Sequence, residues 1–268
     1  MDAILVLSGG QDSTTCGYWT KEQGYTIHAV TFDYGQRHRR ELEAAGVIAK
    51  LLGIDHEIIK IGPILKSTSP LVSNNSLEQY ADPQSLPGGI EKTFIPMRNQ
   101  LFLTLAYNRA AALGAQAIVT GVCQEDYGGY PDCREVFIDA IAHASNLAYF
   151  GDEKMMDGDY IPIHTPLMNM TKAAAVHMAL AMDGCYEALA YTHTSYDGSS
   201  VPTGHDHATL LRAKGFMEAG VPDPLVLRCV WNGDMQLPDS QNYRPHTADK
   251  YIQRLTPFFQ KMRTEYGL

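Results

Sequence analysis

The sequence predicts an α/β protein: a doubly wound, mainly parallel sheet with a small C-terminal helical lobe. Short apolar runs alternate with amphipathic stretches of helical period, the pattern of strands linked by crossover helices. The first run ends in a glycine-rich turn, Ser8-Gly9-Gly10-Gln11-Asp12-Ser13, from which a helical stretch starts. With 268 residues, 45% of them hydrophobic, the chain can bury a full core.

Taken in chain order, residues 3–7 (Ala-Ile-Leu-Val-Leu) read as a buried strand and 14–23 as a helix. Residues 25–32 form the next strand, and 40–52 a helix, apolar at Leu42, Ala45, Val47, Ile48, Ala49, Leu51 and Leu52. A strand over 56–61 precedes residues 66–93, whose Ser, Asn, Pro and Gly predict a long irregular excursion. A helix over 100–113, a strand over 115–122, a helix over 135–149, a strand over 160–165 and a helix over 171–182 continue the alternation. The apolar run 188–194 reads as a last strand, and 197–206 as a polar loop. Past Leu225 the alternation stops; 239–244 is loop-like, and 247–266 is helical with a break expected near Pro257. In such sheets ligands sit beyond the carboxyl ends of the strands.

Bulk properties narrow the function. Lys+Arg of 21 against Asp+Glu of 30 gives a net charge of −9, which disfavours a nucleic-acid-binding body surface. Five scattered cysteines without a C-x-x-C pair predict reduced thiols. No signal-like N-terminus and no apolar run of membrane-spanning length occurs, so a soluble, cytoplasmic protein with no membrane partner is expected.

A strand-to-helix turn rich in glycine and hydroxyls leaves backbone N–H groups aimed at one point, where the helix dipole favours an anion such as phosphate. Gly9 and Gly10 permit close backbone approach, and Ser8 and Ser13 add donors. No Gly-Lys-Ser/Thr follows, so this is not a Walker loop. After the second strand come Tyr34, Gly35 and Gln36, at the same sheet edge. Arg98 opens a helix where its charge opposes the dipole; an anionic ligand or a surface salt bridge explains it. Residues 121–134 pack Asp126, Tyr130, Asp132 and Arg134 into a glycine-jointed loop, offering aromatic faces and carboxylates to a purine-like ring. Lys172, at another helix start, reads either as a phosphate contact or as a solvated lysine.

In combination and order, the patterns SGGxDS (Ser8 to Ser13), YGQRH (Tyr34 to His38), PxRN (Pro96 to Asn99), GVxxxDxxGYPDCR (Gly121 to Arg134), PLxxxTK (Pro166 to Lys172) and LLRxKGFxEAG (Leu210 to Gly220) resemble the 7-cyano-7-deazaguanine synthase family of the queuosine pathway. The first pattern resembles the pyrophosphate loop of ATP pyrophosphatases. The likeness runs from Leu5 to about Pro224. It implies an adenine-nucleotide alpha-hydrolase-like fold, a homodimer, and ATP-dependent conversion of 7-carboxy-7-deazaguanine and ammonia to the nitrile, with ATP and Mg²⁺ consumed or bound. By the resemblance, Ser8, Gly9, Gly10, Asp12, Ser13 and Lys172 hold the ATP phosphates, and Tyr34, Gln36 and Arg98 line the nucleotide site. Asp126, Tyr130, Asp132 and Arg134 face the deazaguanine, and Asp12, Ser13, Arg98 and Lys172 serve the chemistry. The implied organisation is a nucleotide-binding unit over 1–194, a lobe over 195–224 and an extension over 225–268.

One departure stands out. The family carries a four-cysteine zinc site, yet the corresponding positions here are Ser195, Thr203, Asp206 and Thr209. A tetrathiolate zinc site is therefore not expected. His193, His205 and His207 lie close by and leave a histidine metal site as an alternative. The departure also leaves open a relative that passes the activated acid to another amine, giving an amide or a protein conjugate, as in phage or anti-phage settings. A degenerate nucleotide-binding module is the non-enzymatic alternative.

Overall fold

The computed structural model describes residues 1–86, 89–124 and 129–268. Five parallel strands form one sheet in the order β3-β2-β1-β4-β5: β1 (Asp2–Val6), β2 (Thr26–Asp33), β3 (Asp55–Lys60), β4 (Ala117–Val119) and β5 (Ile163–His164). Helices α1 (Gln11–Glu22), α2 (Arg40–Leu52), α3 (Arg98–Leu113), α4 (Glu135–Met156) and α5 (Lys172–Ala181) interleave with the strands. Then follow α6 (Cys185–Ala188), α7 (His207–Glu218), α8 (Pro224–Asn232) and α9 (Pro245–Tyr266).

The strands are buried on both sides because successive side chains point to opposite faces. Ala3 and Leu5 of β1 enter one apolar cluster with α1, α2 and α5 through α9. Ile4, between them, enters the other with α3 and α4. The order of strands reverses at β1, between β2 and β4, and the turns after these three strands converge there.

Two sequence expectations are corrected. Residues 188–194 are not a strand: α6 ends at Ala188 and a 3₁₀ turn spans Leu189–Tyr191. This apolar run is buried by helices, and a short apolar run carries no period that separates the two cases. The break near Pro257 is absent, since α9 runs through it. Pro257 and Gln253, whose carbonyl loses its N–H partner, both face solvent, so water replaces the missing bond. Leu255, Phe259 and Met262 keep the opposite face buried in the same cluster as α1 and α5.

Among its described residues, the excursion after β3 is irregular apart from a 3₁₀ turn at Pro83–Ser85. Ser69 Oγ donates to the Thr93 carbonyl at 2.9 Å. The excursion is also clasped to the polar loop before α7, where the Tyr80 N–H donates to the His205 carbonyl at 2.8 Å. No described helix is long and apolar enough to cross a membrane.

Candidate active site

The turn from β1 to α1 is the floor of a cavity of about 320 Å³. Gly9 has φ of +80°, and a Cβ there would stand 2.5 Å from the Glu41 carbonyl and 2.6 Å from the Ala45 nitrogen. Only glycine lets α2 press this closely on the loop. On the other side, a Cβ on Gly121 would stand 2.8 Å from the Ser13 nitrogen, so the end of β4 also requires glycine. The His193 N–H donates to the Gly9 carbonyl at 2.9 Å and pins the loop from a third direction. Within the loop the Ser8 and Ser13 hydroxyls are 3.0 Å apart, and Ser13 Oγ accepts from the Ser8 N–H at 3.2 Å.

Lys172 enters from α5, whose start Thr171 caps by accepting from the Ala174 N–H. Its Nζ pairs with Asp12 Oδ2 at 2.7 Å, both side chains largely buried. A Cβ on Gly215 would stand 2.7 Å from Lys172 Cβ, so a glycine in α7 makes room for the lysine.

Arg98 is the first residue of α3. Met97 before it has φ of +65°, the one non-glycine residue in the left-handed region among the described residues. That strained turn starts the helix so that Arg98 lies in the cavity wall. Burial works against the guanidinium charge, but Tyr34, Tyr196, Tyr130 and Asp132 around it outweigh that and raise its pKa. The salt-bridge explanation at the surface thus gives way to a half-buried charge among aromatic hydroxyls. Tyr34 is buried, and burial raises its pKa to about 12. Gln36 folds back on the turn, accepting from the Tyr34 N–H at 3.0 Å and donating to the Phe32 carbonyl at 3.3 Å.

Tyr130 lines the cavity with its hydroxyl 2.6 Å from Thr93 Oγ1. Asp132 is buried behind it, accepting from the Asn99 N–H at 3.3 Å, and burial raises its pKa. Asp132 and Arg134 are not in the cavity wall, and Arg134 stands exposed at the N-cap of α4. Asp126 lies outside the described residues.

The cavity wall also contains Glu41, Thr120, Cys133, His193, Tyr196 and Arg212, none singled out in advance for a nucleotide or substrate role. Arg212 has all five N–H groups engaged. Asp223 accepts two, at 2.6 and 2.8 Å, and Thr192, Thr194 and the Leu189 carbonyl take the rest.

The donor set fits a nucleotide triphosphate: hydroxyls, a loop of backbone N–H groups, a lysine and an arginine around one space. A phosphate-bound Mg²⁺ would find a carboxylate oxygen at Asp12.

Of the four positions that the resemblance aligns with cysteines, Ser195, Asp206 and Thr209 form a hydrogen-bonded cluster. Asp206, fully buried, caps α7 by accepting from the Thr209 N–H at 3.0 Å and its hydroxyl at 2.9 Å. The Ser195 hydroxyl lies 3.1 Å from Asp206 and 2.6 Å from Asp197, and its single proton serves one carboxylate at a time. Thr203 is exposed. His193 donates from Nε2 to the Ser195 carbonyl, and His205 from Nδ1 to that of Tyr80. Among the described residues no group of three or more His, Cys, Asp or Glu is placed to hold a metal.

Residues 2–220 match the family model described as queuosine biosynthesis protein QueC. A 7-cyano-7-deazaguanine synthase of Gloeobacter violaceus is 50% identical over 83% of this chain and 94% of its own. That of Chromobacterium violaceum is 46% identical over 85% of this chain and 94% of its own. A solved 4-thiouridine synthetase–RNA complex with bound ATP covers 98% of this chain and 53% of its own at 16% identity, with a TM-score of 0.43, too low to carry an argument. By the extent of the sequence match, the chain belongs to the QueC family of queuosine biosynthesis proteins.

Proposed function

We propose that this chain is an ATP-dependent ligase that converts 7-carboxy-7-deazaguanine and ammonia to 7-cyano-7-deazaguanine. The observation that carries the reading is the convergence of the Ser8–Ser13 loop, Lys172, Arg98 and Tyr130 on one cavity, in a chain whose relatives bear that synthase name.

A carboxylate is a poor electrophile, so it must first be activated. Its oxygen attacks the α-phosphorus of ATP, pyrophosphate leaves, and an acyl adenylate results. The Ser8–Ser13 loop and Lys172 hold the departing phosphates, and Arg98 offsets charge growing on the α-phosphate. Ammonia then attacks the acyl carbon, and AMP departs with a proton released, leaving the amide. A second ATP adenylates the amide oxygen; loss of AMP and the remaining N–H proton forms the C≡N bond. Bound Mg²⁺ would neutralise phosphate charge. Tyr130 offers the deazaguanine ring a flat face from the cavity wall; for Asp126, Asp132 and Arg134 of the same loop the substrate role rests on the sequence resemblance alone.

The proposal extends to a homodimer in the cytoplasm and to the three-part division at residues 194 and 224. The decisive experiment incubates the chain with ATP, Mg²⁺, the carboxylic acid and ammonium, and follows products by mass spectrometry. The nitrile with two AMP is expected. Amide alone, or an acid joined to another amine, replaces the final step of the proposal. ATP binding without turnover overturns it in favour of a nucleotide-binding module.

A further inference from the structure

Beside the main cavity lies a recess of about 20 Å³, room for a single water-sized molecule. The turn after β2 closes one side, where the Arg37 N–H donates to the Leu71 carbonyl at 3.0 Å. Glu41 is among the residues that line both the recess and the cavity.

Glu41 is held firmly, because its backbone carbonyl abuts Gly9. Its carboxylate has no hydrogen-bond or ion-pair partner among the described residues. Asp12, also in the cavity wall, is engaged with Lys172, and Asp132 behind it with Asn99. Glu41 is thus a half-buried carboxylate, fixed in place and unused by the fold, at the mouth of a chamber one small molecule wide.

We propose that the recess is the ammonia site and that Glu41 is the general base of nitrogen transfer. The inference rests on the reading under Proposed function. Ammonia donates N–H bonds to Glu41 and the hydroxyls of Tyr34 and Tyr196, and its lone pair attacks the acyl carbon in the adjoining cavity. The C–N bond forms, the C–O bond to AMP breaks, and the extra proton on nitrogen passes to Glu41 and then to solvent. The charged and titratable groups facing Glu41 are Arg98 from α3, Tyr34, Arg37 and His38 from the turn after β2, and His193 and Tyr196 from the turn before α7. Arg98 favours the ionised form of Glu41, which leaves the carboxylate able to accept the proton. Burial raises the Glu41 pKa, with Arg98 drawing it back, and a raised carboxylate pKa suits a proton acceptor near neutrality.

The test separates the half-reactions. Exchange of labelled pyrophosphate into ATP, dependent on the carboxylic acid and run without ammonia, reports activation alone. Mass spectrometry of ammonia-dependent product reports nitrogen transfer. Glu41→Gln is expected to lower nitrogen transfer by at least about 100-fold and exchange by less than about threefold, while Glu41→Asp restores part of the former. The wild-type chain is expected to use ammonia well and methylamine, with one more heavy atom, poorly. Equal losses in the two assays, an unaffected transfer step, or equal use of methylamine overturns the inference alone. Circular dichroism verifies that the variants fold; should Glu41→Gln fail to fold, Glu41→Asp and the methylamine comparison decide. No acid-dependent exchange in the wild-type chain overturns the proposed function, and this inference with it.

Discussion

The Ser8–Ser13 loop and the Ser195–Asp206–Thr209 cluster are built from the same residue types, and the fold uses them in opposite ways. In the loop, Ser8, Asp12 and Ser13 line an open cavity, and Asp12 reaches outward to Lys172 on another helix. In the cluster, Asp206 has no exposed surface, and its carboxylate is occupied by Thr209 and Ser195. Serine, threonine and aspartate therefore mark a binding site only where the backbone leaves their donors facing unfilled space. Turned inward, they cap a helix and tie a loop, without the cysteines that a zinc lobe needs.

Arg212 offers the strongest way to break this contrast, because it lines the cavity yet spends every N–H on Asp223, Thr192, Thr194 and the Leu189 carbonyl. If it belongs with the cluster, Arg212→Ala strands Asp223 and costs about 3–5 kcal/mol in denaturant unfolding. An unchanged midpoint with a reduced rate would assign it to the site instead.

Lys172→Ala tests the opposite side. A reaction rate reduced by about 10²–10³-fold, about 3–4 kcal/mol of transition-state stabilisation, is expected in steady-state kinetics, measured per folded molecule because the variant also leaves Asp12 without its ion-pair partner. Asp206→Ala removes a helix cap and leaves the buried Thr209 hydroxyl without its acceptor, which costs about 1–3 kcal/mol. Its activity per folded molecule, and its resistance to a zinc chelator, should equal those of the parent chain.

The smallest effect concerns His193, which touches both regions through Gly9 and Ser195. Burial lowers its pKa, and those of His56 and His164, below the ordinary value of about 6.5. Stability is therefore complete above that value and declines as pH falls through it, because the unfolded chain takes up protons that the folded chain resists. Thermal melts between about pH 7.5 and 5.5 should show the decline, and His193→Gln should flatten it.

Much of this was legible in the sequence. Helix α2 spans the residues its periodicity predicts, and the parallel sheet follows from the alternation. The site was legible where it is local: the loop at Ser8, the turn at Tyr34, and the starts of α3 and α5 all follow from strand ends and helix caps. Glu41, His193, Tyr196 and Arg212 were not legible as cavity residues. Each sits in a different part of the chain and reaches the cavity only because α2 and α7 pack beside the first turn.

Local hydrophobic period and the φ that glycine allows are properties of a few adjacent residues, so the sequence by itself determined the fold class, the glycine-rich turn after β1 and the family. Burial and the direction of a hydrogen bond depend on residues far apart in the chain. Tertiary structure alone decided that residues 189–191 are helical, that α9 completes the core with α1 and α5, that Asp206 is a sealed cap, and that Glu41 stands at the mouth of a chamber.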